Sequence, residues 1–288
     1  MIINTLAIVG TGLIGGSFSL ALKQAGAVRE VLGVGRNAAK LTLARELGLI
    51  DRAVDWKQAG QADCILLAMP VGETEAVLKQ LAPYLKPGVI ITDAGSTKAN
   101  VVEAARTVLG GRFTDFVPGH PIAGSEQSGP SAARVDLFQA RKVVLTPQVE
   151  TRVEAISTVR ALWEATGAQV EMLDAALHDR VFAAVSHLPH LAAYALVDEL
   201  AQRADSDVFF RFAASGFRDF TRIAGSSPEM WRDIALANRD ALLTEIDAYL
   251  AALQTLRQAV AGQDADTLLE LFSRARAARE NWIDTQDT

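Results

Sequence analysis

The segment Gly10-Thr11-Gly12-Leu13-Ile14-Gly15 constrains this chain more than any other. It follows the apolar run Leu6-Ala7-Ile8-Val9 and precedes Phe18, Leu20, Ala21 and Leu22 at helical spacing, so the glycines fall between a strand and a helix. In that setting each glycine has a mechanical task. The first permits the tight turn, the second lets backbone N–H groups approach a pyrophosphate, and the third lets the helix pack closely on the strand. The helix N-terminus then presents unpaired N–H groups and its positive dipole end to the anion. Gly10, Thr11, Gly12, Leu13, Ile14 and Gly15 are therefore the expected dinucleotide loop.

The second strand discriminates between dinucleotides. An NAD site normally carries Asp or Glu about 20 residues beyond the glycines, where it accepts from both ribose hydroxyls. Here the strand ends Gly33-Val34-Gly35-Arg36-Asn37, with no acid. Arg36 offers a planar guanidinium suited to a 2′-phosphate, and Lys40 adds charge. NADP is the expected cofactor, with NAD as the alternative. Ala68-Met69-Pro70-Val71 closes a further strand, where Met69 and Pro70 are expected against the nicotinamide half, a plain strand-ending turn being the alternative.

Around this loop, short apolar runs alternate with helical patterns as far as Met172. Strands are predicted at Ile2–Val9, Val31–Val34, Asp63–Ala68, Val89–Asp93, Asp115–Pro118, Lys142–Thr146 and Gln169–Met172. From Asp174 strand-like runs almost vanish, and Leu177–Arg203, Pro228–Ala261 and Asp264–Asn281 read as helices. The expected fold class is α/β, with a Rossmann-type dinucleotide-binding domain over 1–172. An all-α domain over 173–288 follows, its helices packing in a dimer core or within a monomer.

The net charge of −6 gives no excess of clustered cations for a phosphate backbone, so no nucleic-acid partner is expected. No apolar run approaches the ~20 residues of a bilayer span, and none is expected. Cys64 stands alone inside an apolar run, which rules out an internal disulfide and a multi-cysteine metal site; no metal is expected. The N-terminus lacks the basic n-region of a secretory signal, so a cytoplasmic location is expected.

Chemistry is expected at Gly119-His120-Pro121-Ile122-Ala123-Gly124-Ser125-Glu126, a short loop at a strand end. His120 is the candidate proton acceptor. Ser96, in Asp93-Ala94-Gly95-Ser96-Thr97-Lys98, is the candidate for orienting it through a hydrogen bond to the ring; Ser96 or Thr97 is otherwise a helix cap. Downstream lie Ser186-His187-Leu188-Pro189-His190, then Gly216-Phe217-Arg218-Asp219-Phe220-Thr221-Arg222-Ile223-Ala224, then Ser227-Pro228-Glu229-Met230-Trp231-Arg232.

With the glycine turn and the His-Pro-Ile-Ala-Gly loop, these segments resemble the prephenate/arogenate (cyclohexadienyl) dehydrogenase family of tyrosine biosynthesis. The resemblance runs over nearly the whole chain. It implies a homodimer that oxidatively decarboxylates a small cyclohexadienyl acid, with hydride passing to the nicotinamide. It also implies roles: His120 as the catalytic histidine with Ser96 as its partner, and Arg222 as a buried clamp on the substrate carboxylate. His190, His187 and Trp231 fall where the family contacts its substrate. Prephenate and arogenate differ in one side-chain group and remain alternatives here.

Two competing readings are weaker. A lysine-dependent β-hydroxyacid dehydrogenase also joins a Rossmann domain to helices, but this chain has no lysine after Lys142. A dinucleotide sensor without turnover has no need of a histidine base and an arginine clamp.

Overall fold

The computed structural model describes residues 1–125 and 127–284. By its contacts the chain divides into a unit from Met1 to Arg239 and a second from Asp240 onward. The first unit is built on six parallel strands: β1 (Ile3–Val9), β2 (Val28–Val34), β3 (Arg52–Ala53), β4 (Cys64–Leu67), β5 (Ile90–Asp93) and β6 (Phe116–Val117). Their order is β3-β2-β1-β4-β5-β6, the doubly wound arrangement whose strand order reverses between β1 and β4 and leaves a ligand crevice there.

Alternation along these strands supplies two cores. Ala7 and Val9 of β1, with Ile65 and Leu67 of β4, face one layer; Leu6 and Ile8, with Cys64 and Leu66, face the other. Burial on both faces is why the strands read as continuous apolar runs rather than as alternating ones. Cys64 is fully buried, and burial pushes its thiol up to about 12.

A second sheet was not anticipated. The strands β7 (Gly119–Pro121), β8 (Lys142–Leu145) and β9 (Gln169–Met172) form it, with β7 antiparallel to β8 and β8 parallel to β9. Only Pro118 separates β6 from β7, so the chain leaves the large sheet at its carboxyl edge and enters the small one within a residue. The sequence of β7, Gly-His-Pro, has no strand propensity. It pairs only at the sheet edge, where a proline is tolerated.

After β9 the α-helical segments of the first unit are Ala175–Phe182, Leu188–Ala201, Ser206–Phe212, Ser215–Thr221 and Pro228–Ala237, the first two joined through a π-helical turn, Ala183–His187. The stretch Ala175–Ala201 is thus continuous, and with a mean hydropathy of 1.2 in its most apolar window it is long and apolar enough to cross a membrane, contrary to expectation. It instead carries buried His178, Asp179 and His187, polar groups expensive to hold in lipid. The pattern over 228–261 is not one helix either. Asn238 breaks it, because its buried side-chain amide donates to the Asp179 carbonyl (2.8 Å) and bonds His187 Nδ1 (3.1 Å). The second unit comprises most of the helix Arg239–Ala261, a turn at Gln263 with φ of 52°, and the helix Ala265–Asp284.

Candidate functional site

The glycine loop has the geometry its sequence predicts. Gly10 sits at φ +98°, and a Cβ there would meet the Ala68 carbonyl oxygen at 2.5 Å. At Gly15 a Cβ would meet the Gly10 carbonyl oxygen at 2.3 Å and Ile8 Cγ2 at 2.7 Å. Gly12 has open space where a Cβ would be. It is the N-cap of the helix Leu13–Gln24, whose first turn has neither a side-chain cap nor an acid. Two glycines are therefore required by the fold and one is left for a ligand, the fit a pyrophosphate demands. Met69 and Pro70 follow β4 on the other side of the crevice, Met69 half-buried and Pro70 exposed. Arg36 follows β2 and is ion-paired with Glu73, which comes from the turn after β4.

Strand β7 is held by a buried charge pair. Lys98, fully buried, pairs through Nζ with Asp93 at the end of β5 and donates to the Gly119 carbonyl (2.7 Å). Asp93 in turn accepts the N–H groups of Gly119 (3.0 Å) and Gly95 (2.8 Å). Gly119 is needed at this contact, since a Cβ would lie 2.9 Å from the Asp93 carbonyl oxygen. Burial lowers the proton affinity of Lys98, and Asp93 and Asp179 oppose that effect. This clamp places His120 beside the carboxyl ends of the parallel strands.

All four histidines of the chain gather here. His120 Nδ1 lies 2.8 Å from His178 Nε2, and His178 Nδ1 lies 2.8 Å from Asp179 Oδ1. Phe182 packs edge-on against His120 and tilted against His178, at centroid distances of 4.8 and 4.5 Å. His187 meets the edge of Trp231, while His190 stacks on it at 3.6 Å between centroids. His190 Nδ1–H donates to the Ser186 carbonyl (2.8 Å), which leaves Nε2 for a ligand. His187 Nε2 and Trp231 Nε1 are buried with no hydrogen-bond partner among the described residues.

Burial holds every imidazole below its ordinary proton affinity. His120 lies well below the usual value, with His178, Lys98 and His187 pushing the same way. His187 falls to about 4, chiefly through burial, which the Asp179 carboxylate only partly offsets. For His178 burial outweighs its bond to Asp179, and for His190 burial and the charge of Arg222 outweigh the Ser186 bond. Neutral imidazole is the form this site favours, as a proton acceptor requires.

Three expectations need correction. The ring of His120 is oriented by His178, not Ser96: Ser96, half-buried in its turn, makes no hydrogen bond to His120 among the described residues. Neither Ser96 nor Thr97 caps the following helix, Ala99–Leu109. Asp179 does so from far along the chain, its two oxygens accepting the Lys98 and Ala99 N–H groups at 2.8 Å each. Arg222, expected to be buried, is exposed in the single chain, although near enough to His190 to affect its charge. Glu126 lies outside the described residues.

His178 and Asp179 were not anticipated. Their signal was faint: an unbroken α-helix turns roughly 900° over nine residues, which sets residues 178 and 187 on opposite faces. The π-helical turn between them underwinds the stretch, and such turns occur often at functional sites. Among the described residues no group of three or more His, Cys, Asp or Glu is arranged to hold a metal ion.

Sheet order and glycine loop define a Rossmann-type dinucleotide-binding protein with a helical C-terminal part. Known proteins narrow this further. The nucleotide-binding domain of prephenate dehydrogenase matches residues 18–172, and the dimerization domain of the same enzyme matches residues 174–274. Cyclohexadienyl dehydrogenase of Zymomonas mobilis is 39% identical over 95% of this chain and 94% of its own length. Prephenate dehydrogenase of A. aeolicus, solved with hydroxyphenyl propionate and NAD+, superposes with a TM-score of 0.91 at 34% identity, covering 96% of this chain and 98% of that one. Arogenate dehydrogenase of Synechocystis superposes with a TM-score of 0.80 at 32% identity, over 96% and 99% respectively. The chain belongs to the prephenate dehydrogenase family.

Proposed function

We propose that this enzyme oxidatively decarboxylates prephenate, arogenate or both, yielding 4-hydroxyphenylpyruvate or tyrosine. The observation that carries the reading is a buried neutral imidazole, His120, at the carboxyl edge of a dinucleotide-binding sheet. Nicotinamide, when bound, accepts the hydride from the ring carbon that bears the hydroxyl. The chain's own residues do the rest. Gly12 and the first turn of its helix hold the pyrophosphate with backbone N–H groups, along with Thr11, Leu13 and Ile14, while Met69 and Pro70 border the nicotinamide end. His120 Nε2 accepts the hydroxyl proton as the carbonyl forms; the ring then loses its carboxylate as CO2, and the C–C bonding pair completes the aromatic ring. Ser96 borders the same hydroxyl from its turn. Arg222 binds a substrate carboxylate, with His190, His187 and Trp231 lining the remainder of the pocket.

Arg36, with no acid at the end of β2, favours NADP while leaving NAD usable. Residues 1–172 bind the cofactor, and residues 173–288 supply substrate contacts and a homodimer interface. Exposed Phe212, Phe220, Leu236, Leu250, Leu269 and Phe272 support that last assignment, as does an open apolar concavity of about 490 Å³ lined by Val208, Phe209, Phe210 and Phe217. The compartment that suits the lone buried Cys64 is a reducing cytoplasm.

Steady-state kinetics with both substrates and both cofactors test the reading. His120→Asn should lower kcat about 100-fold or more with little change in KM, while Arg222→Ala should mainly raise KM. Absence of turnover with either substrate, or equal losses in both constants for both variants, would remove the assignment.

A further inference from the structure

A histidine can act as a base at Nε2 only when its proton sits on Nδ1, and the ring cannot choose between these tautomers unaided. In this protein a chain of three side chains makes the choice. It starts at Asp179, whose carboxylate is fixed by two backbone N–H groups, Lys98 through Oδ1 and Ala99 through Oδ2. An ionised carboxylate only accepts, and burial of Asp179 does not protonate it: His178 and those N–H groups hold its carboxyl below the usual range. The group facing Asp179 Oδ1 at 2.8 Å, His178 Nδ1, must therefore carry a proton and donate it.

A neutral His178 with its proton on Nδ1 has a lone pair on Nε2. That lone pair points at His120 Nδ1, 2.8 Å away, which must in turn be the donor. The proton of His120 is thus placed on Nδ1. Its Nε2, which makes no hydrogen bond among the described residues, carries the lone pair. The same two hydrogen bonds stabilise the imidazolium that forms once Nε2 has taken a proton, because its Nδ1–H already points along a path ending on a carboxylate.

We infer that His178 and Asp179 are positioning residues for the reaction proposed above, setting the tautomer of His120 so that Nε2 is the basic nitrogen. The inference rests on His120 being the proton acceptor, but its first test does not. In uniformly 15N-labelled full-length protein at pH 8, the ring nitrogens of His120 should resonate with Nδ1 in the protonated range and Nε2 in the unprotonated range. Protonation of Nε2 instead would overturn the inference even if the enzyme turns over normally. Absence of turnover with the tautomer as stated would overturn the reading of function and leave the hydrogen-bond chain intact.

Kinetics supply the second arm. His178→Leu removes the acceptor and should lower kcat about 100-fold with KM within about threefold, whereas His178→Gln should recover to within about tenfold of the unsubstituted enzyme. The glutamine can accept from His120 through Oε1 while donating to Asp179 through Nε2, a rescue that a packing role for His178 would not show. A leucine variant that keeps kcat within twofold would overturn the inference. Should that variant fail to fold, the glutamine variant and the tautomer of the unsubstituted protein decide the matter.

Discussion

At the scale of single residues, the pairing of Arg36 with Glu73 has the sharpest consequence. The arginine side chain is 81% exposed, so the ion pair contributes little to stability, about 0–1 kcal/mol. Its effect is on what else the guanidinium can hold. A 2′-phosphate arriving at Arg36 meets the Glu73 carboxylate already there, and the two anions repel. Glu73→Gln should raise the kcat/KM ratio of NADP over NAD by about five- to tenfold, equivalent to about 1 kcal/mol, and Arg36→Ala should lower it. Initial rates with each cofactor at subsaturating concentration measure this. An unchanged ratio in both variants would place the 2′-position elsewhere.

At the scale of elements, β7 depends on a buried ion pair. Only three residues long and on a sheet edge, it gains little from its own ladder. Lys98 and Asp93 tie it instead to the end of β5 through both backbone groups of Gly119. Breaking a buried pair by removing one partner leaves the other charge uncompensated, which typically costs about 3–5 kcal/mol. Lys98→Met should lower unfolding stability by about that amount in urea titration. A loss below about 1 kcal/mol would mean that neighbouring packing alone holds the strand. The π-helical turn Ala183–His187 acts at the same scale: by resetting the helical register it lets His178 and His187 serve one site from one continuous stretch.

For the whole molecule, the histidine cluster sets a dependence of stability on pH. The folded protein holds His187 neutral down to about 4, whereas an unfolded histidine takes up its proton near 6.5. Between those values the unfolded chain binds more protons, so stability falls as pH falls from 6.5 towards 4. The slope is about 1.4 kcal/mol per pH unit for each such histidine, on the order of 3 kcal/mol in all for His187. His120, His178 and His190, also lowered, act in the same direction. Urea midpoints measured at pH 7, 6 and 5 should decline steeply, and His187→Leu should flatten the decline by one histidine's share. A midpoint unchanged between pH 7 and pH 5 would contradict a neutral buried cluster.

The sequence by itself determined what short-range pattern can encode. Three glycines at fixed spacing between an apolar run and a helical pattern dictate a turn and a close packing, present at Gly10 and Gly15, and a clearance, present as the open space at Gly12. The same local logic located seven of the nine strands, β2 with its start three residues late, and marked His120 as the candidate proton acceptor. Neither β3 nor β7 was legible, because two or three residues carry no periodicity and, unlike Phe116–Val117 of β6, Arg52–Ala53 and Gly119–Pro121 are not apolar, β-branched or aromatic runs.

Only the tertiary structure decided who meets whom. His120 finds His178 across 58 residues, and Lys98 finds Asp179 across 81. Such pairings depend on sheet order and helix register, which no window of sequence contains. Ser96 was the natural partner for His120 at the level of motifs, yet the hydrogen bond at Nδ1 goes to a histidine on a helix whose register a π-turn adjusts. A side chain's identity is written locally, but its protonation state is fixed by the neighbours that folding brings to it.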